Sequence, residues 1–124
     1  MISYTTVGTN NMDAAKKFYS ALLSELGAQE MMNMENRFVM YGDGKGPMFA
    51  IAQPYDGKPA TVGNGVMIAL AAKDPAQVKS LYDKAISLGA KCEGPAGPRM
   101  DGRFSCGYVR DPDGNKLNFF CMGS

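Results

Sequence analysis

Two segments of this chain resemble each other at a spacing of half its length, and this repeat constrains the fold more than any other feature. Residues 13–28 and residues 74–90 both begin with Asp and both end in Leu-Gly-Ala. The two Leu-Gly-Ala endings lie 62 residues apart in a chain of 124 residues. Self-similarity at a fixed period is typical of a repeated structural unit. The sequence therefore predicts two modules of similar length.

Both repeated segments have the apolar spacing of an amphipathic helix. In the second segment, Asp74 can cap the helix, Pro75 can occupy its first position and Gln77 can complete a capping box. Gly27 and Gly89 follow the two helices and favour the left-handed conformation that ends a helix. The apolar stripes consist of Ala15, Phe18, Tyr19, Leu22 and Leu26 in the first helix and of Val78, Leu81, Tyr82, Ala85 and Leu88 in the second.

Short apolar runs on both sides of each helix predict strands. One run precedes each helix and two or three follow it, so each module is predicted to be a strand, a helix and two or three antiparallel strands. The turn-rich segments 42–47 and 111–115 predict hairpin loops, and the Pro- and Gly-rich segment 53–65 predicts a linker. The predicted strands are residues 2–7, 37–41 and 48–52 in the first half and 66–71, 103–109 and 116–121 in the second.

The chain contains no histidine, the residue that most often serves as a general base and as a neutral metal ligand. Ser-His-Asp, Cys-His and histidine-based metal mechanisms are therefore excluded. A net charge of +1 provides no basic surface for nucleic acid or for an anionic membrane. The three cysteines lack C-x-x-C spacing, so we interpret them as reduced, inert core thiols. No run approaches a membrane span and the first residues do not resemble a signal peptide, so we expect a cytoplasmic protein.

Three motifs of the sequence resemble one known family. They are residues 11–19, residues 65–70 and residues 108–117, where an aromatic residue and Val precede x-Asp-Pro-Asp-Gly-Asn. Together they resemble the glyoxalase/bleomycin resistance/dioxygenase superfamily, also called vicinal oxygen chelate (VOC) proteins, over residues 2–121. The resemblance implies an α+β fold in which two βαβββ modules form a cupped mixed sheet with the helices outside. We predict one domain spanning residues 1–124, built of module 1–58 and module 64–124.

The resemblance also implies four positions for metal ligands, because enzymes of this superfamily hold a divalent metal with side chains from the first and last strands of both modules. The first-strand positions fall on Tyr4 and Met67. The last-strand positions fall on Asn118 and on Ala50, or on Ala52 if the register slips. None of these residues supplies a carboxylate or an imidazole, so they cannot form a hard-metal site. We therefore predict a member without the usual metal ligands, with no metal and no other cofactor.

Side chains alternate along a strand, so the same four positions define a predicted ligand-binding face. Val109 and Leu117 are expected to face the helices instead. The predicted face is apolar and aromatic with a few polar points, which is usual for a small-molecule pocket. The alternative is that these residues only fill a barrel core. The predicted ligand-binding residues are Tyr4, Thr6, Phe38, Ala50, Met67, Cys106, Tyr108, Asn118 and Phe120.

Several other features have both a functional and a structural interpretation. The arginines could clamp an anion, although we favour solvated charges. The methionine cluster could act as an adaptable binding surface, although we favour core filler or a subunit contact. Segment 111–115 is predicted to be a structural turn, and segment 42–46 a loop, because no Gly-Lys-Ser/Thr opens a helix after it. The arginines are Arg99, Arg103 and Arg110, and the methionines are Met31, Met32, Met34 and Met40.

The favoured functional hypothesis is a homodimer that binds a small amphipathic or aromatic molecule in the cup or at the dimer interface, as the resemblance to bleomycin resistance proteins implies. The alternative is a VOC enzyme, such as a lactoylglutathione lyase or a ring-cleaving dioxygenase, with unusual metal ligands or with none. A metal-free enzyme would use Tyr4, Tyr108 or Cys106. A ligand-free interaction domain is the third possibility. The expected partners are a small molecule and a second copy of the chain, without nucleic acid or membrane.

Overall fold

A computed structural model describes residues 1–123 of the chain, and the predicted end of the second module at residue 124 lies outside them. The chain divides into two compact units, Met1–Gly63 and a second unit that begins at Asn64. Each unit contains one helix and four strands. The first consists of β1 (Tyr4–Gly8), α1 (Met12–Ser24), β2 (Gln29–Met34), β3 (Phe38–Gly42) and β4 (Met48–Ala52), and the second of β5 (Ile68–Ala71), α2 (Pro75–Ser87), β6 (Lys91–Arg99), β7 (Phe104–Arg110) and β8 (Lys116–Met122).

The sheet of the first unit has the strand order β1-β4-β3-β2. β1 is parallel to β4, and the other pairs are antiparallel. Helix α1 packs on one face of this sheet through Tyr19, whose ring centroid lies 4.8 Å from that of Phe49. Tyr41 shares this face, and its hydroxyl lies 2.9 Å from Ser20 Oγ of the helix. Burial of Tyr41 in this core raises the pKa of its phenol.

The sheet of the second unit repeats this arrangement with the order β5-β8-β7-β6. β5 is parallel to β8, and the other pairs are antiparallel. Helix α2 packs on the sheet through Val78, Leu81 and Ala85, which are buried as the apolar spacing predicts. It approaches the sheet closely at Gly107, where an added Cβ would lie 3.2 Å from the Tyr82 side chain.

The capping residues of α2 act nearly as predicted. Asp74 Oδ1 accepts a hydrogen bond of 2.8 Å from the Gln77 backbone N–H, and Pro75 is the first helical residue. Gln77 Oε1 accepts from the N–H of Lys73 at 2.9 Å, one residue before the position that a standard capping box uses. The beginning of α2 is therefore determined by local capping interactions that the sequence predicts.

The predicted fold class is confirmed, because each unit is a βαβββ module with its helix on one face of a mixed sheet. Among the described residues the strands form two four-stranded sheets and no closed barrel. Gly27 and Gly89 have φ values of +77° and +102° after the helices, as predicted. β1 and β5 each begin two residues later than expected. The strands β2 and β6 had no apolar run to predict them.

Both hairpins that follow the helices turn through two consecutive non-glycine residues in the left-handed conformation. Glu35 and Asn36 join β2 to β3 with φ values of +52° and +58°. Met100 and Asp101 join β6 to β7 with φ values of +50° and +55°. Two such residues are the requirement of a type I′ turn, which suits the twist of a hairpin. Neither helix among the described residues is long and apolar enough to cross a membrane.

Candidate ligand-binding faces

The first unit has an open groove of about 1210 Å³ on the sheet face turned away from α1. Phe49 faces the helix, so its neighbour Ala50 lies on the opposite face of β4. Thr6 and Met40 are the register partners of Ala50 and share that face. We call this cavity the module-1 groove. Its lining includes Tyr4, Thr6, Met32, Met34, Phe38, Met40 and the segment from Ala52 to Tyr55.

Three of the predicted ligand-binding residues line the module-1 groove: Tyr4, Thr6 and Phe38. The rings of Tyr4 and Phe38 meet edge to face, with centroids 6.1 Å apart and planes at 82°. Ala50 is fully buried and is not among the lining residues, whereas Ala52, the alternative register, lines the groove. The structure therefore brings the first-module residues to one face but buries Ala50.

Methionines contribute much of the lining of this groove, in line with the functional interpretation of the cluster rather than with the favoured one. Met32 is the register partner of Met40, Met34 lies opposite Phe38, and all of them line the groove. Core filler is correct for Met40, which is buried, and wrong for Met31, Met32 and Met34, which are exposed. The sequence could have indicated part of this arrangement, because residues 32 and 34 are two apart in a strand and therefore point to the same face.

Two charged residues stand at the turn end of the groove. Glu35 and Arg37 both contribute to its lining. Two ion pairs within residues 1–123, Lys79 with Asp83 and Arg110 with Glu93, involve neither groove residue. The groove therefore combines an apolar, sulfur-rich floor with one charged residue of each sign at its turn end.

The second unit presents an equivalent face on the side of its sheet turned away from α2. Gly107 faces the helix, so Cys106 and Tyr108 on either side of it lie on the opposite face of β7. Their register partners on β8 are Phe120 and Asn118. We call this surface the module-2 face. It brings together four predicted ligand-binding residues, Cys106, Tyr108, Asn118 and Phe120, and it leaves Val109 and Leu117 on the helix side, as predicted.

Tyr108 is the neighbour of the buried Cys106 on the same sheet face. The hydrogen bond between these two side chains, together with burial, raises the pKa of Tyr108, while the nearby Arg99 acts in the opposite direction. A raised pKa keeps the phenol protonated at neutral pH. Tyr108 is therefore suited to hydrogen bonding and stacking rather than to removing a proton from a substrate.

Two cations lie close to the ring of Tyr108. The guanidinium carbon of Arg99 is 5.9 Å from the ring centroid, and Lys116 Nζ is 5.4 Å from it. Arg99 also donates to the backbone carbonyls of Pro95 at 2.7 Å and Gly97 at 2.9 Å. Arg99 thus stands at the end of β6, near a loop as expected, but it is half-buried and held by its own strand.

The other two arginines of the predicted cluster, Arg103 and Arg110, do not join Arg99 at the ring of Tyr108. Arg110 Nε is 2.6 Å from Glu93 Oε1, and this hydrogen bond is the main reason why the pKa of Glu93 is lowered. Arg103 is exposed beside the β6–β7 turn. No clamp of three arginines is formed.

Asn118 is the most unusual residue of the module-2 face. It is 4% exposed, and its Oδ1 atom has no hydrogen-bond partner among the described residues. Buried polar side-chain atoms are nearly always hydrogen-bonded in native structures. The sequence identified Asn118 through the family resemblance, but its missing partner is visible only in the structure.

The remaining candidate residues either lie away from these two surfaces or have a structural role. Met67 precedes β5 and is exposed, so it does not lie on the first strand as expected. Cys106 and Cys121 are buried as predicted, but Cys92 is exposed, which corrects its assignment to the core. Asp111 Oδ1 accepts from the N–H groups of residues 113 and 115 at 2.9 and 2.8 Å, as expected of a structural turn.

The chain matches the family model of the Glyoxalase/Bleomycin resistance protein/Dioxygenase superfamily over residues 1–119. The chain belongs to this superfamily. The resemblance seen in the sequence is thereby confirmed. Within the described part of this VOC protein, no group of three or more His, Cys, Asp or Glu side chains is placed to hold a metal ion.

Solved structures of other superfamily members share the fold. A glyoxalase/bleomycin resistance protein from Albidiferax ferrireducens is 38% identical, with a TM-score of 0.88 and coverage of 97% of both chains. A glyoxalase-related enzyme from Fulvimarina pelagi is 20% identical, with a TM-score of 0.76 and coverage of 100% of this chain and 95% of that one. A lactoylglutathione lyase from Agrobacterium tumefaciens is 22% identical, with a TM-score of 0.72 and coverage of 97% and 92%. No curated protein matches the chain.

Proposed function

We propose that this VOC protein binds a small amphipathic or aromatic molecule on the sheet faces opposite its helices, without the usual metal ligands of the superfamily. The observation that carries the proposal is the module-1 groove. Its volume of about 1210 Å³ is ample for a small molecule, since typical ligand pockets measure about 300–1,000 Å³. Its aromatic pair, Tyr4 and Phe38, offers ring edges and faces to a planar ligand.

The methionines support the same proposal. Met thioethers are flexible and polarisable and make favourable contacts with aromatic rings, so they suit a surface that adapts to its ligand. An exposed apolar patch of this kind is also typical of a binding site rather than of an inert surface. We therefore assign Met32 and Met34 to ligand binding together with Tyr4, Thr6 and Phe38.

The donor set at the family's metal positions does not fit a hard divalent ion. Ala50 has no donor atom, Met67 offers a thioether, and Tyr4 offers a single phenol oxygen. Asn118 contributes one amide oxygen, and hard cations require several oxygen ligands, among them carboxylates. Ligand binding without metal chemistry is therefore the function that these residues support.

The same proposal includes the assembly of the protein. We propose a cytoplasmic homodimer whose subunit is one domain of two modules, residues 1–58 and 64–124. Exposed large apolar side chains on both modules, among them Met34, Val66 and Met67, support a second copy as partner.

Two neighbouring methionines provide a matched test of the groove. Met31 and Met34 lie on the same strand and are 50% and 57% exposed, but only Met34 lines the groove. Binding of neutral aromatic compounds, beginning with quinoline, is measured by calorimetry and thermal shift. We expect Met34→Ala to weaken binding severalfold and Met31→Ala to leave it unchanged. Equal effects of the two substitutions, or no binding to the wild type, would contradict the proposal.

A non-denaturing mass spectrum of protein purified without chelator tests the remaining parts. A dimer at the mass of two chains, or one that carries an organic adduct, supports the proposal. One transition-metal ion per subunit, together with chelator-sensitive turnover of a hemithioacetal or a catechol, would replace it with the enzyme alternative.

A further inference from the structure

We propose that the module-2 face recognises an aromatic acid that carries an O–H or N–H group at the far end of its ring, with Lys116 attracting the carboxylate and Asn118 accepting from the donor. This inference rests on the proposed function and names the chemical class of one ligand. It assigns Asn118 and Lys116 as residues that determine specificity.

The first argument is the missing partner of Asn118. Its Oδ1 atom is a buried acceptor on β8, which lies between β5 and β7 in the sheet. The register partners of Asn118 are Ala69 and Tyr108. Ala69 has no polar side-chain atom, and the Tyr108 hydroxyl does not donate to this oxygen. The protein thus provides no donor for this oxygen, and a ligand with an O–H or N–H group would supply it.

The second argument is the charge of the same surface. Arg99 and Lys116 both lie over Tyr108, and neither forms an ion pair within residues 1–123. The neighbouring charges of Arg110 and Glu93 neutralise each other in their own ion pair. Lys116 also acts on the Glu93 carboxylate and helps to lower its pKa, so three cations, Arg99, Arg110 and Lys116, accompany one carboxylate here, in a chain whose net charge is only +1. This concentration of charge favours an anionic group.

The two cations differ in what remains available to a ligand. The Arg99 guanidinium is held by the carbonyls of Pro95, Gly97 and Pro98. Within residues 1–123 the Lys116 ammonium lies over the ring and acts on Glu93 only at a distance, without an ion pair. Lys116 is therefore the cation that can turn toward a carboxylate, while Arg99 supplies a fixed background charge.

The spacing of these groups selects the shape of the ligand. Lys116 and Asn118 are two residues apart and therefore on the same face of β8, which separates them by about 7 Å along the strand. Tyr108 lies directly across from Asn118, and Lys116 Nζ lies 5.4 Å from the centre of its ring, so the ring offers a flat surface close to both contacts. A single aromatic ring with a carboxylate at one end and a hydroxyl at the other matches this arrangement.

Three small probes separate the two contacts in the full-length protein. They are para-hydroxyphenylacetate, phenylacetate, which lacks the hydroxyl, and the methyl ester of para-hydroxyphenylacetate, which lacks the charge. We expect calorimetry to show that para-hydroxyphenylacetate binds about three- to tenfold more tightly than either of the others, the effect of one hydrogen bond or one partly exposed charge. Rising salt should reduce the preference for the acid over the ester.

Two substitutions assign these preferences to residues. Asn118→Leu should abolish the difference between para-hydroxyphenylacetate and phenylacetate, while Lys116→Met should abolish the difference between the acid and its ester. Lys84→Met removes the same charge from α2, on the other side of the sheet, and should leave both preferences intact. Circular dichroism confirms folding, and Asn118→Ala replaces Asn118→Leu if the latter does not fold.

The outcomes distinguish this inference from the proposed function. Equal affinities of the three probes for the wild type, no binding of any of them, or preferences that persist in both variants would overturn the inference. If quinoline still binds in a Met34-dependent manner, the proposed function stands without it. If quinoline does not bind either, both proposals fail.

Discussion

Replacing Asn118 with leucine is expected to stabilise the unliganded protein, although the residue is buried in the middle of a sheet. A buried acceptor without a partner costs about 1–3 kcal/mol of the free energy of unfolding. Leucine has the same number of side-chain heavy atoms and the same branching, so most of this cost is recovered, less a smaller cost for its greater bulk. We expect a gain of about 1–2 kcal/mol, which corresponds to a rise in Tm of roughly 5–10 °C for a chain of this size.

Urea denaturation followed by circular dichroism measures this gain. Asn118→Asp is the control, because it keeps the shape but places an ionisable carboxyl in the same buried position and should destabilise the protein. If Asn118→Leu proves less stable than the wild type while retaining its fold, the oxygen has a partner in solution. The main observation behind the proposed recognition of aromatic acids would then be lost.

Three further substitutions test the packing, the turns and the titration of the core. Gly107→Ala should lower the free energy of unfolding by about 1 kcal/mol, since the new Cβ would press on the side chain of Tyr82 at 3.2 Å. An unchanged urea midpoint would show that α2 can move away from the sheet without cost. Met100→Gly should raise the urea midpoint by the equivalent of about 0.5–1 kcal/mol, because φ is +50° there and glycine adopts this conformation without strain. A lower midpoint would mean that the greater entropy of glycine in the unfolded chain outweighs this gain. Burial raises the pKa of Tyr41, so the folded state holds this proton more tightly than the unfolded state, and stability should fall as the pH rises above 10 through the folded pKa. Tyr41→Phe should reduce this loss of stability at alkaline pH, as measured by urea titrations at increasing pH. An identical pH profile in the variant would show that Tyr41 does not cause the loss.

The elements that the sequence predicted are those whose signals are local. Asp74 and Pro75 mark the beginning of α2 because a cap and a fixed φ act within one turn. Gly27 and Gly89 mark the helix ends because the chain must adopt a positive φ there. These features need no knowledge of the rest of the fold.

The strands β2 and β6 escaped prediction because they lie at the edges of their sheets. Every residue of β2 is exposed, so no alternation of apolar and polar residues marks it. β6 contains two glycines and two prolines, which indicate turns in a sequence, and its pairing with β7 is interrupted by register shifts. Edge strands tolerate both patterns, since only one side of each is paired.

For the candidate site, the sequence predicts which residues of a strand share a face. It does not predict their exposure or their hydrogen-bond partners. Alternation placed Cys106, Tyr108 and Asn118 together because the side-chain period of a strand is fixed. Which side chains remain exposed and which find partners depends on neighbouring strands and turns. Arg99 folds back onto carbonyls of its own strand, and Asn118 Oδ1 is left without a donor. Neither fact follows from spacing along the chain.

The two modules use one scaffold to present different chemistry. Register places Thr6, Ala50 and Met40 at the positions in the first sheet that Ala69, Asn118 and Tyr108 occupy in the second. The central β-strand position is thus a fully buried alanine in one module and, in the other, an amide whose oxygen lacks a partner. Because both sheets are stabilised by a buried helix stripe on one face, the residues of the other face are free to differ. The proposed recognition of a ligand accounts for an acceptor without a partner at a position where the other module has alanine.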